Sequence, residues 1–97
     1  MTDYCEAAKR GAEFLDEKDP KWAQKVNLTT LDLGSQFFCV LGQLYGDFYD
    51  GALTCNLTRH EEIERGFDLG GSAWAKPGAY DELTRCWKDE IRARRKR

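Results

Sequence analysis

The chain has 97 residues, of which 41% are hydrophobic and 12% aromatic. This length corresponds to one domain, and the composition is typical of a folded globule rather than a disordered segment. Fifteen basic and seventeen acidic residues give a net charge of −2. Residues 1–91 hold ten basic and seventeen acidic residues, a net charge of −7, and the other five basic residues stand within 92–97. An acidic body with a basic C-terminal end excludes a uniformly basic nucleic-acid-binding protein.

The four cysteines are expected to be reduced thiols that pack as small apolar side chains. The N-terminus lacks the apolar segment of a signal peptide, and no run of about 18 apolar residues could span a membrane, so we expect a soluble, cytoplasmic protein. The cysteine spacing also lacks the C-x-x-C pairs of zinc sites. A site made by Cys39, Cys55, His60 and Cys86 would require the fold to bring them together, and no metal or cofactor is expected.

The first half of the chain shows helical spacing of its apolar residues. A first helix is predicted over residues 4–17, and Asp19-Pro20 is predicted to begin a short second one with Trp22 on its apolar face. Ser35 is predicted to cap a buried central helix over residues 36–45, although the same residues also suit a buried strand. Its glycine at position 42 predicts close contact with another backbone, with the small residues of the first helix as candidates.

Capping signals predict the helices of the second half. Asp47 is predicted to begin a fourth helix that buries Leu53, and Thr58 to Glu61 matches a capping box for a short fifth helix. A long C-terminal helix is predicted from about 79 to 94, with Tyr80, Leu83, Trp87 and Ile91 on its buried apolar face. The sequence therefore predicts one all-α domain over residues 1–97, with five or six short helices around the central one.

No catalytic site is predicted. Cys39 and His60 form the one combination of thiol and imidazole base, but Cys39 stands between Phe38 and Val40, and an apolar setting raises the pKa of a thiol. His60 lies in a charged segment and is expected on the surface. Many carboxylates stand at predicted helix starts, where capping accounts for them without chemistry. We therefore expect a protein that is not an enzyme.

Two sets of residues are candidates for binding. Aromatic side chains near predicted helix ends are expected to be partly exposed and are candidate anchors for a protein partner: Trp22, Tyr49 and Trp74. The basic C-terminal residues are candidates for holding nucleic-acid phosphates: Arg92, Arg94, Arg95, Lys96 and Arg97. The simpler interpretation of the second set is a favourable helix C-terminus with a solubilising end.

The central segment carries a resemblance to a known family. The stretch Cys39-Val-Leu-Gly-Gln-Leu-Tyr-Gly-Asp-Phe-Tyr-Asp-Gly51, with Arg65-Gly-Phe-Asp68 and the closing Glu90-Ile-Arg-Ala-Arg-Arg95, resembles small uncharacterised proteins encoded by phages and prophages of actinobacteria. The resemblance implies a small accessory protein that acts in the cytoplasm of a bacterial host. It supplies no catalytic residues.

The functional prediction is a non-enzymatic phage accessory protein that acts by protein–protein interaction. Its expected partner is a host protein, a phage protein or a second copy of the chain. The alternative is a small helical protein that binds nucleic acid through its basic C-terminal helix end.

Overall fold

The residues that the structure describes form six helices, of which α1 and α6 are by far the longest. The structure is a computed structural model that describes residues 3–69 and 76–96. The helices are α1 (Tyr4–Lys18), α2 (Trp22–Lys25), α3 (Val40–Tyr45), α4 (Phe48–Thr54), α5 (Arg59–Glu64) and α6 (Ala79–Arg95). The described residues form no β-strand. The all-α prediction with a long C-terminal helix is confirmed.

α1 and α6 lie side by side and run in the same direction. Gly11 of α1 faces the ring of Trp87, and Asp16, farther along α1, pairs with Arg94 at the end of α6. The indole of Trp87 is fully buried, stacks on Phe67 with 5.3 Å between ring centroids, and donates from Nε1 to the Gly66 carbonyl at 2.6 Å. The core therefore centres on Trp87, which the spacing of α6 predicted to be apolar and buried.

The central helix is shorter than predicted, because its first residues are held by other parts of the chain. The Ser35 hydroxyl accepts from the amides of Phe37 and Phe38, and α3 begins only after Cys39, which caps it. The Phe38 carbonyl accepts from Asp32 N, so it is unavailable for a regular helical turn. The prediction of a helix from residue 36 was wrong, and in the described helix only Val40, Leu41 and Gly42 are fully buried.

Three smaller predictions were also wrong. α2 begins at Trp22, after a turn in which Asp19 Oδ1 accepts from Lys21 N, rather than at Asp19-Pro20. Leu53 is 81% exposed instead of buried. Gly42 lies against the carbonyls of the preceding turn, whereas the glycine that packs on the backbone of α1 is Gly66.

The caps of α4 and α5 are confirmed. Asp47 accepts from Asp50 N at the start of α4. The Thr58 hydroxyl accepts from Glu61 N, and the Glu61 carboxylate accepts from Thr58 N in return. These local hydrogen bonds need only residues three positions apart, which is why the sequence predicts them.

A disulfide joins Cys5 in the first turn of α1 to Cys86 in the middle of α6. The expectation that all four cysteines are reduced was therefore wrong. The two residues are 81 positions apart, and only the packing of α1 on α6 brings their Cα atoms within 4.9 Å. Cys39 and Cys55 are free and buried, as expected. Among the helices of the described residues, none is both long and apolar enough to cross a lipid bilayer.

Candidate functional site

A cleft of about 630 Å³ opens between the loop before α3 and the N-terminal ends of α4 and α6, with α5 beside them. Its size falls within the range of ligand-binding pockets. Its lining combines aromatic and charged side chains: Leu33, Gly34, Ser35, Gln36, Phe48, Tyr49, Arg59, Glu62, Asp68 and Tyr80. Except for Tyr49, none of these was a sequence-based candidate, because they come from five separate segments.

Four side chains form a charged network in the cleft. Arg59 Nη1 donates to Glu62 Oε1 at 3.0 Å and to Asp68 Oδ2 at 2.6 Å, and Nη2 donates to the Leu69 carbonyl at 3.1 Å. The Tyr80 hydroxyl donates to Asp68 Oδ1 at 2.8 Å. These hydrogen bonds to Asp68 and Glu62 raise the pKa of the Arg59 guanidinium. The network fixes the orientation of both carboxylates, as charge-assisted hydrogen bonds do.

The phenol of Tyr80 should resist ionisation. Burial, followed by its hydrogen bond to the Asp68 carboxylate, raises the pKa of Tyr80 to about 12. A raised folded-state pKa gives stability that is complete below the ordinary value of 10.0 and is lost as the pH rises towards about 12. We expect Tyr80→Phe to make the fall in stability over this pH window shallower, as measured by urea unfolding at successive pH values.

Tyr45 supplies the internal reference for that experiment, because burial also raises its pKa to about 12. In an ultraviolet titration, the phenolate absorbance that appears at the highest pH should be smaller in Tyr80→Phe than in the wild-type chain. The part that remains should come from Tyr45. An unchanged late absorbance would show that Tyr80 ionises normally.

Four large apolar side chains are exposed on α4 and in the loop before α3, and together they are called the apolar patch. Phe37 is 58% exposed, Phe38 51%, Tyr49 67% and Leu53 81%. Tyr49 and Leu53 stand four residues apart on α4 and therefore share one face of that helix. The loop that carries Phe37 is held at the start of α4, where Phe48 N donates to the Gln36 carbonyl at 2.8 Å. The exposure of Tyr49 agrees with its prediction as a candidate anchor.

Trp22 and Trp74 have different outcomes from Tyr49. Trp22 is fully buried, packs edge-on against Trp87 at 5.8 Å between centroids, and donates from Nε1 to Asp16 at 2.8 Å. The expectation that it is partly exposed was wrong, because the turn at residues 19–21 directs it into the core. Trp74 lies outside the described residues.

The C-terminal arginines do not all extend into solvent. Arg94 is only 9% exposed in its side chain, where Nε and Nη2 donate to the Asp16 carboxylate and Nη1 donates to Glu90. Arg95 donates to the carbonyls of Ala23 and Val26. Arg92 and Lys96 are exposed, and Arg97 lies outside the described residues. Two of the five predicted phosphate contacts are thus engaged within the fold.

A second groove is lined by three basic residues of α6 and by two acidic residues, Asp32 and Asp81. It has a volume of about 610 Å³ and lies between residues 29–32 and one face of α6. Arg85, Lys88 and Arg92 line it at helical spacing, and Asp89 pairs with both arginines at 3.2 and 3.6 Å. Arg85 and Lys88 were not candidates from sequence because they are isolated cations outside the dense basic run. Their spacing of three and four residues up to Arg92 could have shown that the three cations share one helix face.

The candidate catalytic residues occupy separate environments. Cys39 is buried, and that burial raises the pKa of its thiol. His60 is on the surface, with Nε2 2.9 Å from the Glu64 carboxylate. Cys86 is bonded to Cys5, so its thiolate is not free to join a metal site with Cys39, Cys55 and His60. In the part of the chain that the structure describes, no group of three or more His, Cys, Asp or Glu residues could hold a metal ion.

Comparison with known proteins adds no relative. No protein-family model, no curated protein and no solved structure matches this chain. The two grooves, the apolar patch and the charges around them are therefore the features that bear on function.

Proposed function

We propose that this chain is a small non-enzymatic accessory protein that acts by binding another protein through the apolar patch. The observation that carries the proposal is the concentration of four large, exposed apolar side chains on α4 and the loop before α3. Exposed apolar groups that stand together mark interaction surfaces, whereas isolated ones are ordinary. Tyrosine is enriched among the residues that contribute most to binding energy. Tyr49 belongs both to the patch and to the lining of the cleft.

The biological setting is part of the same proposal. The resemblance of the segment from Cys39 to Gly51 supports a phage protein that acts in the cytoplasm of an actinobacterial host. Its partner is then a host protein, a phage protein or a second copy of the chain. Three of the four patch residues stand in or directly before that segment.

The test compares two doubly substituted variants with the wild-type chain. In Tyr49→Ser/Leu53→Ser, recovery of the partner from host lysate, or self-association in sedimentation, should fall at least tenfold because the apolar contact is removed. Lys9→Ser/Glu13→Ser is the matched control, since these residues are also exposed and four positions apart on a helix. Equal binding by both variants, or a wild-type chain that is monomeric and retains no protein, would contradict the proposal.

The basic groove of α6 favours a second function, the binding of nucleic acid. Arg85, Lys88 and Arg92 share one helix face, and Thr29 and Thr30 stand opposite with hydroxyl groups. Cations in a row along a groove suit a phosphate backbone, because each neutralised phosphate releases counterions. The exposed Lys96 extends the row towards the C-terminus.

Fluorescence titration of labelled duplex DNA tests this second function. Three phosphate contacts predict an affinity that falls about 40-fold between roughly 50 and 200 mM salt. Lys88→Ala/Arg92→Ala should weaken binding and reduce the salt dependence, whereas Lys9→Ala/Lys18→Ala, with the same change in charge on α1, should not. Salt-independent binding, or equal effects of the two variants, would refute a role for the groove.

A further inference from the structure

We propose that the cleft and the apolar patch together receive a basic amphipathic segment of the partner protein, in which lysine or arginine alternates with apolar residues. This inference rests on the proposed function and specifies the chemistry of its partner. It is carried by two independent features of one surface, its exposed apolar side chains and an excess of carboxylates over cations among the residues that line or flank the cleft.

The apolar half of the surface continues into the cleft. Tyr49 is 67% exposed and also lines the cleft, so one aromatic side chain belongs to both. Leu53 lies one helical turn farther along α4, and the hydrogen bond between Phe48 N and the Gln36 carbonyl keeps the loop with Phe37 beside it. A bound segment can therefore place an apolar side chain on the patch and its neighbour in the cleft.

The charges of this surface select a cation. Residues 26–58, which supply the whole patch, contain no lysine, arginine or histidine, but they contain Asp32, Asp47 and Asp50. Asp47 and Asp50 flank the two aromatic residues of α4 that line the cleft. A basic segment is attracted to this surface and an acidic one is repelled, since complementary charge governs which partner is accepted.

The charged network within the cleft shows the same preference. Glu62 and Asp68 share one nitrogen of a single guanidinium, that of Arg59, so one negative charge of the pair is uncompensated. Three aromatic side chains also line the cleft, those of Phe48, Tyr49 and Tyr80, and aromatic faces attract cations. A lysine or arginine of the partner thus finds carboxylates and aromatic faces together, with its aliphatic stem against Tyr49.

Labelled peptides of about ten residues test the inference, because a segment of that length can lie along an exposed helix face. One peptide alternates leucine and lysine, a second leucine and glutamate, and a third serine and lysine. Fluorescence anisotropy measures their binding to the wild-type chain and to variants. We expect the leucine–lysine peptide to bind best, since only it supplies both apolar and cationic side chains.

The variants separate charge from apolar contact. Asp47→Asn/Asp50→Asn should weaken binding of the leucine–lysine peptide roughly fivefold, in line with two exposed ion pairs, and asparagine keeps the cap of α4. The control Glu13→Gln/Glu17→Gln removes the same charge from the exposed face of α1 and should have little effect. Tyr49→Ser should weaken binding at least fivefold as well.

The outcomes distinguish this inference from the proposed function. If the leucine–glutamate peptide binds as tightly as the leucine–lysine peptide and Tyr49→Ser abolishes this binding, the inference of a basic partner is wrong. The apolar patch then remains a binding surface, as the proposed function states. Equal weakening by the two charge variants also overturns the basic partner, because it shows attraction to net charge alone. If Tyr49→Ser does not weaken binding of the leucine–lysine peptide, both the inference of a basic partner and the proposed binding function of the patch are wrong.

Discussion

Replacement of Cys5 and Cys86 by serine should lower the free energy of unfolding by about 4 kcal/mol, because the disulfide closes a loop of 81 positions in the unfolded chain. The entropy that a cross-link removes from the unfolded state grows with loop length. For a single small domain, a loss of this size is a large fraction of the total stability. Urea unfolding of Cys5→Ser/Cys86→Ser and of the wild-type chain, both under non-reducing conditions, measures the difference.

Reduction of the wild-type chain provides the control for this prediction. Dithiothreitol should lower the wild-type stability to that of the double variant and should leave the double variant unchanged. Thiol titration of the unfolded, unreduced chain should detect the two thiols of Cys39 and Cys55 and no others. Detection of four thiols would show that Cys5 and Cys86 are not bonded in the purified protein.

Gly11→Ala should lower the free energy of unfolding by about 3 kcal/mol, the upper end of the usual cost of overpacking. A Cβ atom at this position would lie 2.0 Å from the Arg65 carbonyl oxygen and 2.7 Å from the Trp87 ring. Neither neighbour can yield easily, because one is backbone and the other is the fully buried centre of the core. Thermal and urea unfolding of the variant measure the loss.

Helix propensity alone predicts the opposite sign, since alanine favours a helix over glycine by about 1 kcal/mol. Gly34→Ala is the matched control, because there the nearest atom is 3.3 Å from the added Cβ and belongs to the exposed side chain of Asp32. Its effect should be less than about 1 kcal/mol. Stabilisation by Gly11→Ala would mean that α1 does not approach α5 and α6 so closely.

The features that could be predicted from the sequence depend on residues close together in the chain. The stripe of Leu83, Trp87 and Ile91 predicted α6, and the Thr58 capping box predicted α5. Apolar periodicity and caps repeat within one or two helical turns, so a single sequence contains them. The all-α class follows from several such segments.

What the sequence failed to predict depends on contacts between distant segments. Ser35 looked like a helix cap, yet the carbonyls after it hold Asp32 and Phe48 instead of continuing the helix. Phe37 and Leu53 are apolar, and no local pattern states that they face solvent. The cleft required five segments to meet, so of its lining only Tyr49 was a candidate from sequence.

The parallel arrangement of α1 and α6 has an electrostatic consequence. The C-terminal ends of both helices lie at the same pole of the molecule, and Arg95 brings the end of α2 to them. Each helix C-terminus exposes carbonyl groups and a partial negative charge, which nearby cations offset. Arg95 therefore offsets the carbonyls at the end of α2, whereas Arg94 compensates the carboxylates of Asp16 and Glu90, so two of the C-terminal positive charges serve the protein's own fold.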